Sequence, residues 1–92
     1  MIRTFANAET EQLYFTHKTR RFNSIARAAI RKLEILYNAR DLKDLQNPPG
    51  NRLELLRGDR AGQYSIRIND QFRICFRWID GNADDVEIVD YH

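Results

Sequence analysis

Cysteine, histidine, proline and glycine are all scarce in this 92-residue chain. The lone Cys75 has no partner in the chain for a disulfide, which suits a reducing compartment. One cysteine with His17 and His92 falls short of a zinc ligand set. The four glycines build no phosphate-cradling loop. Neither a metal nor a cofactor is therefore expected. No apolar run exceeds a few residues, so no helix is expected to span a bilayer. No basic-then-apolar leader opens the sequence, and the expectation is a cytoplasmic protein with no membrane partner. The length leaves no room for a separate cofactor module, so residues 1–92 are read as a single domain.

What the chain does have is arginine, unevenly placed. The net charge is only +2. Yet Lys18, Arg20, Arg21, Arg27, Arg31 and Lys32 follow one another with no acid between them. Arg52, Arg57, Arg60, Arg67, Arg73 and Arg77 make a second basic stretch, and Asp80 to Asp90 is acidic throughout. A guanidinium presents a planar fork of donors that matches phosphate. A solvated surface with cross-strand salt links is the plain alternative to an anion-binding face.

The apolar pattern divides the chain in two. Ile2 to Phe5 alternates and reads as a strand. Asn7 to Phe15 carries Glu9 and Glu11 early, where acids suit a helix N-terminus. Thr16 to Phe22 is a basic connector, and Asn23 or Ser24 is a candidate cap for the next helix. Ala26, Ile30, Leu33 and Tyr37, with Ala29 and Leu36, form its apolar stripe, leaving Arg27, Arg31 and Lys32 on a basic outer face. Asp41 is expected to cap a short helix, and Asn47-Pro48-Pro49-Gly50 to end all helix. Strands follow over Leu53 to Arg57, Tyr64 to Ile68, Phe72 to Trp78 and Val86 to Val89, with turns at Gly58 to Gly62 and Gly81-Asn82. The fold class is α+β, with an N-terminal strand and helices packed on one face of an antiparallel sheet.

Register sharpens this. A two-residue turn at Asn69-Asp70 would set Ile66 against Arg73 and mix the faces. A three-residue loop, Asn69-Asp70-Gln71, sets Ile68 against Phe72 and Ile66 against Ile74. It also sets Arg67 against Arg73, a like-charge pair that is screened by solvent and acids or used to hold an anion.

Metal-free chemistry is open to such a chain if the substrate is RNA, whose 2′-hydroxyl attacks the neighbouring phosphate. The protein then moves two protons and stabilises the phosphorane. Asp90, Tyr91 and His92 stand in a row directly after the last strand, and histidine titrates near neutrality. Glu54 and His92 can handle protons, Arg57 and Arg73 can hold the phosphate, and Tyr91 can stack on a base. On a regular strand Glu54 and Arg57 point to opposite faces, so both serve one site only if a bulge or the strand end redirects one of them. A frayed tail is the alternative for the last three residues.

The run Asn51-Arg52-Leu53-Glu54-Leu55-Leu56-Arg57-Gly58-Asp59-Arg60-Ala61-Gly62-Gln63-Tyr64-Ser65-Ile66-Arg67, then Phe72-Arg73-Ile74, then the ending Asp90-Tyr91-His92, resembles the HigB branch of the RelE/ParE toxin superfamily. With the opening Met1 to Phe5 the resemblance covers the whole chain. It implies a compact RelE-like domain that acts as the toxin of a type II toxin–antitoxin system and cleaves mRNA in the ribosomal A site without a metal. It implies a HigA-type helix-turn-helix antitoxin as partner, contact with the small ribosomal subunit, and operator DNA bound only through the antitoxin. The family's active residues fall at Arg57, Arg73, Asp90, Tyr91 and His92, with Glu54 a further site position. Lys18, Arg20, Arg21, Arg27, Arg31, Lys32 and Arg67 become candidates for gripping ribosomal RNA. Two positions depart from the pattern, which has a histidine at position 54 and a lysine at position 57. The rival readings are a ParE-like gyrase inhibitor and a non-catalytic co-repressor module.

Overall fold

The structure, a computed structural model, describes residues 1–91. Helix α1 (Ala8–Thr16) starts at Asn7, whose side chain accepts the Thr10 N–H at 2.9 Å. Helix α2 (Ala26–Asn38) buries Ala29, Leu33 and Leu36 and exposes Arg27 and Arg31. Tyr37, expected in the buried stripe, is 40% exposed, because the buried row runs one position earlier, through Leu36. Neither Asn23 nor Ser24 caps α2. The chain enters it through a 3-10 turn, Asn23–Ile25, which carries the backbone into the helix with no side-chain cap.

Beyond α2, Leu42–Gln46 forms a 3-10 helix with Leu45 buried and the Asp44 carboxylate accepting the Asp41 N–H. Helix does not end at Asn47-Pro48-Pro49-Gly50. Single 3-10 turns follow at Pro49–Asn51, where the first-position proline has no N–H bond to lose, and at Gly58–Arg60.

Four antiparallel strands lie in chain order: β1 (Glu54–Leu55), β2 (Tyr64–Arg67), β3 (Phe72–Ile79) and β4 (Asn82–Asp90). The three-residue loop gives the register expected of it, with Ile66 opposite Ile74 and Arg67 opposite Arg73. The next turn sits at Asp80-Gly81, one residue before its expected place. Both residues take positive φ, 52° and 78°, as a two-residue hairpin loop demands.

One sheet face, with Ile66, Ile74, Phe76, Val86 and Ile88, packs against Leu13, Phe22, Leu33, Leu36 and Leu45, all of them nearly fully buried. Burying each such side chain contributes roughly 1.5–3 kcal/mol. The opposite face carries Glu54, Ser65, Cys75 and Glu87 in one cross-strand row, and Arg67, Arg73 and Val89 in the next.

Strand β4 begins four residues before the expected Val86. Between Cys75↔Glu87 and Arg77↔Asp84 it spends three residues where β3 spends two, a bulge with Asp85 at φ 52°. The bulge also explains the N-terminal segment. Residues 1–6 run parallel to β4, with Ala83 and Val86 exchanging backbone bonds with Met1, Arg3, Thr4 and Ala6. The extra residue interrupts that ladder, so Ile2 and Phe5 make isolated bridges in place of the expected continuous strand. Arg3 grips Asp84 with two bonds of 2.7 and 2.6 Å. Past this segment the same edge is covered by α1, whose buried Thr10 hydroxyl accepts the Ile88 N–H at 3.1 Å.

Two outcomes follow for stability. Thr10→Val keeps the shape but strands the Ile88 N–H, a loss of about 1–3 kcal/mol. Thr10→Ser keeps the acceptor and is expected to melt above the valine variant. A valine variant melting at or above the parent contradicts the bond's role. The Arg3 guanidinium holds the Asp84 carboxyl below the ordinary carboxylate range. A carboxyl depressed in the fold stabilises above its unfolded value and loses that contribution as pH falls through its folded value. Asp84→Asn is therefore expected to lower the melting temperature by a few degrees at pH 7. The gap to the parent should narrow as pH falls through the acid range, followed by thermal melting.

Candidate functional site

The face away from the helices is not bare. Ser65 and Cys75 lie at its centre and are fully buried. Both are small, which lets guanidinium groups lie over them. The Arg73 Nε donates to the Ser65 Oγ at 2.7 Å, and its Nη2 donates to the Arg52 carbonyl at 2.7 Å. The Arg60 Nη1 donates to the Gln63 Oε1 at 3.1 Å and to the Glu87 Oε1 at 3.2 Å. Burial pushes the Cys75 thiol up, and Glu87 adds to this, while Arg60 and Arg73 pull the other way. Cys75 is a packed thiol rather than a nucleophile.

Arg67 and Arg73 sit side by side, and Arg67 is tied to Asp70 in the hairpin loop. An acid thus partly offsets Arg67, as the screening alternative expects, whereas Arg73 is held by neutral oxygens and keeps its charge uncompensated by these partners. Glu54 is exposed on β1 and stands opposite Ser65. The regular strand ends at Leu55, so its alternation does not extend to Arg57. Leu56 is buried, its N–H bonding to the Gln63 carbonyl, and the exposed Arg57 opens the Gly58–Arg60 turn. That turn closes at Gly62, at φ 89°. There the Arg77 Nη1 passes 3.2 Å from where a side chain would begin.

At the other edge, Asp90 pairs with Phe72 and shares the parity of Ile88, towards the helices. Its carboxylate accepts from the Gln71 Nε2 at 3.1 Å. Tyr91 follows just past the end of β4. Its N–H donates to the Gln71 carbonyl at 2.6 Å and it is 39% exposed. His92 lies outside the described residues.

The basic stretch before and along α2 divides. Lys18, Arg20 and Arg21 are exposed on the connector, where Arg21 reaches Glu9 at 3.5 Å and its guanidinium lies 5.1 Å from the Phe22 ring centre. Phe22 packs edge-on against Phe72, which keeps the connector at the end of the sheet that bears the β2–β3 hairpin. Arg27 and Arg31 line a shallow groove with Asn69 of that hairpin. Lys32 differs from both. It is half-buried, donates to the Asn51 Oδ1 at 2.5 Å, and is pushed down by burial, then by Arg31 and Arg67.

Arg60, Ser65 and Asn51 were not singled out by sequence reasoning. All three fall inside the motif stretch, so the signal was their place in it. Nothing in composition or alternation separates a buried serine from an exposed one. Among the described residues no three His, Cys, Asp or Glu side chains gather as a metal site. No helix among them is long and apolar enough to cross a membrane.

The family described as the RelE-like toxin of the type II toxin–antitoxin system HigB matches residues 3–92. The chain is 47% identical over 81 residues to Toxin HigB-1 of Vibrio cholerae, covering 86% of this chain and 85% of that protein. It is 34% identical over 61 residues to Endoribonuclease HigB of Proteus vulgaris, covering 66% of this chain and 65% of that protein. Its fold is similar to a chain of the heterotetrameric YoeB–YefM toxin–antitoxin complex of Staphylococcus aureus. There the TM-score is 0.64 at 18% identity, over 100% of this chain and 98% of the other, a likeness of fold alone. The chain belongs to the HigB-like family of RelE-type toxins of type II toxin–antitoxin systems.

Proposed function

We propose that this toxin is a metal-independent endoribonuclease that cuts mRNA in the A site of the translating ribosome. The observation that carries the reading is the Arg73 guanidinium, held by two neutral oxygens on the sheet face away from the helices, beside Arg67. In the reaction the 2′-oxygen bonds to the adjacent phosphorus while the bond to the 5′-oxygen breaks. One proton leaves the 2′-hydroxyl and one joins the 5′-oxygen, giving a 2′,3′-cyclic phosphate and a 5′-hydroxyl. Arg73 and Arg57 stabilise the phosphorane charge. Glu54 and His92 carry the protons. Tyr91 stacks on a base, and Asp90 accepts from Gln71 beside it.

The ribosome supplies what one small domain lacks, a positioned RNA strand. Lys18, Arg20, Arg21, Arg27 and Arg31 are exposed and grip ribosomal RNA phosphates of the small subunit, a salt-dependent contact. This places the toxin in the cytoplasm. A HigA-type helix-turn-helix antitoxin is its partner, drawn to arginine-rich surface by acidic residues, and operator DNA is met only through it.

Primer extension on a translated mRNA tests the reading. The parent is expected to give cuts within A-site codons, and no cut on the same naked RNA at matched concentration. In single-turnover cleavage Arg73→Ala should fall roughly 10²–10³-fold. Deleting His92 should cost roughly 10²–10⁴-fold, and Glu54→Ala less. Thermal melting in parallel excludes unfolding. Arrest of replication with intact mRNA would contradict the reading and favour a gyrase inhibitor.

A further inference from the structure

The bonds that aim Arg73 trace back through a second set of residues. Both leave from the Nε–Nη2 edge of the guanidinium, so the Nη1 edge is the one on offer to a phosphate. On one side the acceptor is Ser65. It lies in β2 between Glu54 of β1 and Cys75 of β3, the part of this face most constrained by pairing. Its side chain is fully buried, so no water competes for the hydroxyl.

On the other side the acceptor is the Arg52 carbonyl. Arg52 takes φ 46° and ψ 56°, a left-handed conformation rare for a residue with a side chain. Its N–H donates to the Pro49 carbonyl at 3.1 Å. The preceding Asn51 is fully buried, and its amide anchors the loop. The Nδ2 donates to the Leu45 carbonyl at 3.2 Å and the Asn47 carbonyl at 3.1 Å, and the Oδ1 accepts from Lys32. Each polar atom of that amide has a partner, which makes the loop rigid where the Arg52 carbonyl emerges. An unrestrained arginine samples many rotamers, whereas here the guanidinium is fixed before any RNA arrives.

We infer that Ser65 and Asn51 are positioning residues for Arg73, the serine hydroxyl directly and the asparagine by holding the Arg52 carbonyl. Lys32 belongs to this support and not to the ribosome-gripping surface. The geometric claim stands without the ribonuclease reading, and its consequence for rate rests on that reading.

Two measurements on the full chain decide it. The first is the NMR signal of the Arg73 Nε–H in the free protein. It is expected to be sharp and slow to exchange in the parent and in Ser65→Thr, and broadened by exchange in Ser65→Ala, with the backbone amide spectrum retained. A fast-exchanging signal in the parent overturns the inference, even if Ser65→Ala fails to fold. So does a signal unchanged in Ser65→Ala.

The second is single-turnover cleavage on ribosomes. Ser65→Ala should slow the step about 10–100-fold at saturating ribosomes, with the half-saturating concentration unchanged. In an Arg73→Ala background the same substitution should cost nothing more, because it acts through the missing side chain. A full further loss there overturns the inference. Absence of any cleavage by the parent defeats the ribonuclease reading instead, and leaves the NMR measurement to decide the positioning.

Discussion

The pairing of Ile66 with Ile74 constrains both faces of the sheet. Two isoleucines must meet on the helix side, because a slip of one residue would turn each apolar side chain into water. The same backbone then sets Arg67 against Arg73 on the other side, and Ser65 against Cys75 one row along. A pair of like charges on adjacent strands is unfavourable by itself. Asp70 offsets one of them, and two neutral oxygens hold the other without cancelling its charge. Core packing thus places a cation on the far face, and the site grows around it.

How far this was legible depended on whether neighbours in sequence were also neighbours in space. Helix α1 could be read from its early acids and α2 from its apolar stripe, and the β2–β3 register and the arginine face from the unbroken alternation over Tyr64 to Ile68 and Phe72 to Trp78. The first half of β4 could not. Its bulge at Asp85 spaces the buried Ala83 and Val86 three residues apart, and Asp84 and Asp85 look like loop. The N-terminal strand failed as a regular strand for the same reason, since it pairs with the bulged segment. Asp80-Gly81 was misplaced by one residue although its composition suits a two-residue turn. In the site, Arg73 was readable by parity, but its partners were not. Ser65 and Arg52 are far from it in sequence, and one of the two acceptors is a backbone carbonyl that no side-chain pattern reports. Lys32 looked like its neighbour Arg31, and only burial beside Asn51 separates them.

On the proposed ribonuclease reading, the two departures from the pattern that the resemblance implies shift the roles of the side chains. Arginine at position 57 keeps a fixed positive charge and gives up any share in proton transfer. Position 54 carries a carboxylate in place of an imidazole. On the proposed ribonuclease reading, charge stabilisation rests on guanidinium groups, and the terminal imidazole is the proton donor. On that reading the site suits RNA because the attacking group belongs to the substrate. The protein has only to hold a phosphate, accept one proton and return one.

That division of labour is what a 2′-deoxy substitution tests most directly. A single deoxynucleotide at the 5′ side of the scissile phosphate, in an mRNA positioned on the ribosome, leaves docking, charge and base contacts in place. Cleavage at that bond should be abolished while neighbouring ribonucleotide bonds remain cleavable. Cleavage of the deoxy-substituted bond at the parent rate would contradict the account, because the attacking oxygen would have to come from elsewhere.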